Sequence, residues 1–224
     1  MRCFRVGNKG LAFFAFLLLL IGCTDRRQVD VFIWPPEESK IIWVPLMDSA
    51  VKVMIALPER YDTSFSWTHF SDCGKPCDKI KYRWQPKSLP VTKETGFIWL
   101  GEPQDSIERF TISHPALFPF YGDNDESIIF GYHQMKKADM IGQGHSTTRD
   151  TVELINEKYF SILIIDSIDK LKSRFCKKVS AAASFKGNII TFDFELLTRQ
   201  NDSLTKNFIT HSLIYLRRFQ FSRL

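Results

Sequence analysis

Residues 188–197 read N-I-I-T-F-D-F-E-L-L. Ile190, Phe192 and Phe194 alternate with polar residues, so an extended chain here has one apolar face and one polar face. Just upstream, Lys186-Gly187 predicts a turn joining paired strands. Downstream, Asn201-Asp202-Ser203 offers helix caps, and Leu204, Phe208, Ile209, Leu213 and Leu216 fall on one helical stripe. Arg217 and Arg218 lie in its last turn, where cations suit the helix dipole. A one-sided strand followed by an amphipathic helix predicts a sheet covered by a helix.

Strand signals dominate the rest of the chain. V-D-V-F-I-W, K-I-I-W-V-P and V-K-V-M-I-A-L-P each run into proline. F-S-W-T-H-F and K-I-K-Y-R-W flank a cysteine pair, and T-G-F-I-W-L, S-I-E-R-F-T-I and S-I-I-F-G-Y-H-Q-M continue the pattern. T-V-E-L-I and Y-F-S-I-L-I-I-D follow. These β-branched and aromatic runs are bounded by Gly, Pro, Asn and Asp, as strands are. Ile168, Leu171 and Phe175 predict a second helix over Ser167–Lys177. No repeat or long linker divides residues 30–224, which read as one α+β domain: a mostly antiparallel sheet under one or two helices.

From Asn156 onward the order is strand, irregular segment, paired strands, closing helix. This order resembles the end of the PsbP/Mog1-like α+β fold. The resemblance covers the last third of the chain, carries no signature motif, and implies an accessory or docking role more than a catalytic one.

The N-terminus bears on localisation. Arg2, Arg5 and Lys9 precede an apolar run from Leu11 to Ile21, too short for the roughly 20 residues a spanning helix needs. That is the form of an export signal. It ends in Leu20-Ile21-Gly22-Cys23, which resembles the lipobox of bacterial lipoproteins. The resemblance implies removal of residues 1–22 and acylation of Cys23, with membrane lipid as its partner. Thr24, where no aspartate signals inner-membrane retention, implies an outer-membrane destination in the bacterial envelope. Residues 23–29 then form the lipidated cysteine and a short tether; its six residues after Cys23 reach about 20 Å. Three positive residues and no acidic one leave with the signal, which takes the net charge from +5 to +2. Neither that charge nor an exported location argues for nucleic acid.

Cys73 and Cys77 bracket Gly74-Lys75-Pro76. A thioredoxin-type redox pair needs two intervening residues and a helix to acidify the thiol; here there are three, followed by strand alternation at Ile80, Tyr82 and Trp84. His69 with the two cysteines falls short of a metal's ligand set, and Gly74 and Pro76 break the helix that the spacing would need. A disulfide staple fits the geometry of a hairpin tip. If Cys73 faces Cys77, then Phe70 faces Ile80, Thr68 faces Tyr82 and Ser66 faces Trp84, while His69 meets Lys81 and Trp67 meets Arg83. Cys176 remains as a buried thiol.

Two surfaces are candidate binding patches: the aromatic segment with Phe118, Phe120 and Tyr121, and the hairpin face with Trp67, His69, Lys79, Lys81 and Arg83. The second reads as a solvated face or an anion site. Gly142–His145-Ser146 lacks the nucleophile elbow, and Gly122–Glu126 lacks the calcium-loop pattern. No catalytic set, metal site or cofactor motif is assembled in the sequence. The leading expectation is a non-catalytic lipoprotein that docks an envelope partner or binds a ligand. A small hydrolase-like enzyme built on His133 or His145, or a redox protein using Cys73 and Cys77, are the alternatives.

Overall fold

A computed structural model describes residues 38–47, 49–96, 106–118, 124–143 and 147–223. The leader, Cys23 and its tether lie outside the described residues. So do Phe120, Tyr121, His145, the expected strand at 29–34 and residues 97–100 of the strand expected over 95–100.

Strands β1 (Ser39–Leu46), β2 (Val51–Pro58), β3 (Thr63–His69), β4 (Lys79–Gln85) and β5 (Ile107–Pro115) come first. Helix α1 (Asp125–Gly142) follows, then β6 (Arg149–Ile155), β7 (Lys158–Asp169), β8 (Arg174–Phe185) and β9 (Asn188–Thr198). Helix α2 (Ser203–Leu216) and β10 (Gln220–Arg223) close the chain. Among the described residues all pairings are antiparallel, in a seven-stranded sheet of order β3-β4-β5-β9-β8-β7-β6 and a three-stranded sheet of order β1-β2-β10. The class is α+β with a C-terminal helix, as expected.

Alternation along β9 decides the layers. Ile190, Phe192, Phe194 and Leu196 are buried in one core with Phe110 and Ile112 of β5, with Phe208, Leu213 and Leu216 of α2, and with Val53 and Ile55 of β2. Phe110 and Phe194 rings sit 4.5 Å apart, and Phe219, just after α2, meets Phe192 edge-on at 5.3 Å. Asp202 caps α2 by accepting from the Thr205 amide at 2.8 Å. The β6–β7 and β8–β9 hairpins turn at Asn156-Glu157 and Lys186-Gly187, with positive φ at both central residues, as tight two-residue hairpins require.

Helix α1 lies against the opposite face of the same sheet, over β6, β7 and β8, where Met140 packs on Leu163 and Ile165. Leu163 and Ile165 have the opposite parity to core-facing Ile162 and Ile164, as a period of two demands. Asp125 pins the helix start. Its carboxylate accepts from Ser184 Oγ at 2.7 Å and the Gly187 amide at 3.0 Å, and pairs with Lys158. Burial alone would raise this carboxyl, but the Gly187 amide, Ser184 and Lys158 hold it below the usual range.

Three sequence expectations are corrected. Ser127–Met135 is helical, not a strand. Asn124 accepts from the Ser127 amide, and Asp125 and Glu126 occupy the first turn, where the dipole favours acids; this overrides the Ile-Ile-Phe run. Ser167–Lys177 is a hairpin, not a helix. Asp169 Oδ1 accepts from the Leu171 and Lys172 amides and turns the chain, and Leu171, meant for a buried stripe, is 98% exposed. The β3–β4 register is offset by two residues. Thr68 faces Ile80, Ser66 faces Tyr82, Trp67 faces Lys81 and His69 faces Lys79. Phe70 has left this ladder to donate its amide to Thr95, and Ser71 begins the turn by donating to Asp78. A slip of two keeps every side chain on its expected face.

Candidate functional site: a cationic cleft beside helix α1

On the α1 side of the sheet, same-face residues of adjacent strands stand in rungs. Lys81, Ser113, Thr191 and Ala182 make one. Arg83, Thr111, Asp193 and Ser180 make the next, and Arg109, Glu195 and Lys178 the third. Tyr132 and Lys136 of α1 face these rungs across a cleft of about 400 Å³, and Ser71 and Cys77 of the disulfide turn close one end. The sheet therefore supplies a polar floor, the helix one wall and the hairpin tip another.

Among the described residues, six cations line the cleft against three carboxylates. Glu94, from the segment after β4, takes Lys81 at 3.2 Å, Arg83 at 3.3 Å and Arg109 at 3.4 Å. Glu195 takes Arg109 and Lys178, and Asp193 takes Lys178 and the Ser180 hydroxyl. Burial alone would raise both glutamates. Arg83, Arg109 and Lys81 hold Glu94 below its ordinary value, and Lys178 and Arg109 do the same for Glu195. Tyr132 is pushed up to about 12, by burial first and then by Asp193, so it stays a neutral phenol.

The segment carrying Glu94 is fixed by the hairpin. Trp67 Nε1 donates to the Glu94 carbonyl at 3.0 Å. His69 Nδ1 lies 2.7 Å from the same carbonyl, which can only accept, so Nδ1 carries the proton. Arg83, 2% exposed, lies 4.8 Å from the Trp67 ring centre and donates to the Thr92 carbonyl and Thr111 hydroxyl. Gly96 has φ +97, and a Cβ there would meet the Phe70 carbonyl at 1.8 Å, so only glycine lets this segment lie against the end of β3.

Lys79 differs from the other cations. Among the described residues its ammonium has no ion-pair partner. Its pKa is lowered by burial, then by the like charges of Lys81 and Lys136, with Asp193 opposing. Among the described residues Lys136 pairs only with Asp139, on its own helix. The positive excess is thus concentrated at Lys79, Lys81 and Lys136, beside the disulfide turn.

Of the patch residues read from the sequence, Trp67, His69, Lys81 and Arg83 share this cleft face. Phe118 belongs to the other side of the sheet, packed on the core with its ring 5.6 Å from His114. Sequence reasoning missed Glu94, Arg109, Lys136, Lys178 and Glu195. The polar parity of β5 and β9 carried that signal: Arg109, Thr111, Asp193 and Glu195 all alternate with core residues.

Cys73 and Cys77 are bonded to each other, with Cα atoms 5.8 Å apart, and β4 rather than a helix follows. Cys176 is half-buried, and its thiol is pushed up by burial and then by Glu195. His133 Nδ1 lies 2.9 Å from Ser161 Oγ, and its Nε2 lies 4.0 Å from Asp150, an order reminiscent of a hydrolase triad. Yet Ser161 is 1% and His133 4% exposed, beneath α1, so a substrate carbonyl has no approach to the hydroxyl. The pair ties the helix to β7. Asp150 sits at a distance too long for a hydrogen bond to the imidazole and is engaged by Lys137 at 2.9 Å.

No protein-family model and no curated protein matches the chain. Among solved structures it is similar to the solution structure of cyanobacterial PsbP (CyanoP) from Synechocystis sp. PCC 6803. Identity is 12%, the match covers 86% of this chain and 97% of that one, and the TM-score is 0.43. A likeness so distant carries no functional argument, which rests on the cleft itself.

Proposed function

We propose that this protein is a lipid-anchored module of the bacterial envelope that works by binding, and that the cleft beside α1 receives an anionic ligand or an anionic group of an envelope partner. The anchor comes from the Leu20–Cys23 resemblance. The binding role is carried by one observation: a walled cleft of about 400 Å³ in which Lys79, without an ion-pair partner among the described residues, stands among like charges. An arriving anion relieves that repulsion and meets Lys81, Lys136 and the neutral Tyr132 hydroxyl together. The salt-bridged rungs below hold the floor rigid, so little ordering is required on binding.

Titration of the purified full chain with inorganic phosphate and with a small dicarboxylate, followed by Trp fluorescence, tests this reading. Saturable binding that weakens with salt is expected, with a loss of tenfold or more in Lys79→Ala/Lys136→Ala. Among the described residues, neither substitution removes an ion pair from the sheet. No saturable binding of either anion, or equal binding by the double variant, overturns the reading.

A further inference from the structure

The polar rungs stop abruptly. One step beyond Arg109–Glu195–Lys178, the next same-face rung is Ile107–Leu197–Cys176. All three strands change from charged to apolar at the same level. That rung opens into a second cavity of about 300 Å³, floored also by Ile165 and walled by Met140 of α1. Its lining is mainly apolar, the reverse of the cleft. The two spaces are adjacent: Lys136, Lys178, Ser180 and Glu195 line both.

We infer that the two cavities form one site, which takes an amphiphile with an anionic head and a short apolar tail. This inference rests on the cleft reading and deepens it by naming the ligand class. The head lies among Lys79, Lys81 and Lys136, where the positive excess is concentrated. The tail runs past Lys178 into the chamber, toward Ile107, Leu197 and Met140. Lys136 and Lys178, long side chains with apolar stems, stand at the passage and can line the tail with methylenes while their ammoniums stay with the head or with Glu195. Together the spaces have the size of ordinary small-ligand sites, which combine an apolar lining with a few placed charges. A small hydrophilic anion would leave the chamber unused, and a neutral lipid would leave the like charges of Lys79, Lys81 and Lys136 unrelieved.

The full chain is titrated with inorganic phosphate, with butyl, hexyl and octyl phosphate, and with octanol, each below its aggregation limit. Affinity should rise by up to about fourfold per methylene seated in the chamber, and then level off when the tail outgrows it. Octyl phosphate should bind at least tenfold more tightly than either phosphate or octanol. Cys176→Phe or Ile107→Phe, partly exposed positions that narrow the chamber, should abolish the dependence on tail length while leaving phosphate affinity unchanged. The wild-type ligand series decides the matter even if these variants fold poorly. Phosphate binding with no gain from the tail overturns the amphiphile and leaves the anion cleft standing. Octanol binding as tightly as octyl phosphate overturns the linked site. Binding of none of the ligands overturns both readings.

Discussion

Arg109 of β5 and Glu195 of β9 face each other across the sheet, and their ion pair marks the level at which its α1 face turns from polar to apolar. Lys178 joins from β8, so one carboxylate holds cations from two neighbouring strands. The same glutamate therefore bears on both cavities.

Glu195→Gln keeps the shape and removes the charge. It leaves Arg109 with Glu94 and Lys178 with Asp193 alone. Unfolding stability should fall by about 2–4 kcal/mol, below the top of the buried-pair range because the side chain keeps 22% exposure. Because its folded pKa is depressed, Glu195 contributes stability above pH 4.5 that is lost as pH falls through the folded value. Urea midpoints measured from pH 7 to pH 3 should decline less steeply in the variant. An unchanged midpoint at pH 7 would show that the rung carries no load.

Much of this fold was legible because burial writes a period of two into the strands. Ile190, Phe192 and Phe194 placed β9, and the stripe from Leu204 to Leu216 placed α2. Helix α1 was not legible in the same way. Its buried contacts are few, Ile129, His133 and Met140 among them, while Phe130, Met135 and Ile141 are exposed, so no clean stripe forms. The hairpin half of the cleft was visible as a basic alternation after Cys77. Its other half required knowing that β9 lies between β5 and β8, a long-range pairing that local pattern does not encode.

Phe208 is buried in the core between α2 and the sheet. Phe208→Ala should lower stability by about 3–5 kcal/mol through lost burial and the cavity left behind. Chemical denaturation checks it, and an unchanged midpoint would detach the helix from the core.

His133 should give the protein a second pH dependence. Burial, helped by Lys137 and opposed by Asp150, lowers its pKa, so the folded state prefers the neutral ring that meets Ser161. The unfolded chain binds the proton more readily, so this contribution is full above about pH 6.5 and is lost as pH falls below it. His133→Asn does not titrate. The drop in Tm between pH 7.5 and pH 5 should be smaller in the variant than in the native protein. Equal drops would assign the effect to other groups.

The Cys73–Cys77 bridge closes a short loop, so Cys73→Ser/Cys77→Ser should lower stability by about 2 kcal/mol and leave the fold intact. Thiol counting by intact mass and the reduction potential of the pair separate its roles. A potential below about −300 mV belongs to a structural staple. A readily reduced bond would instead make the turn, with Cys77 at the cleft's edge, a redox element.

The anchor is tested separately from the cleft, because residues 1–37 lie outside the described structure. Leu20-Ile21-Gly22-Cys23 follows a basic and then an apolar stretch, and two or more acyl chains on one residue suffice for stable attachment. Mass spectrometry of the protein from its own membranes should find Cys23 as the first residue, carrying acyl mass. Cys23→Ser should yield an uncleaved or soluble species. An unacylated N-terminus elsewhere would remove the lipoprotein reading and its placement at the membrane. Anion binding is expected to survive that result, since the cleft's lining residues run from His69 to Glu195 and the test of the cleft invokes none of residues 1–37.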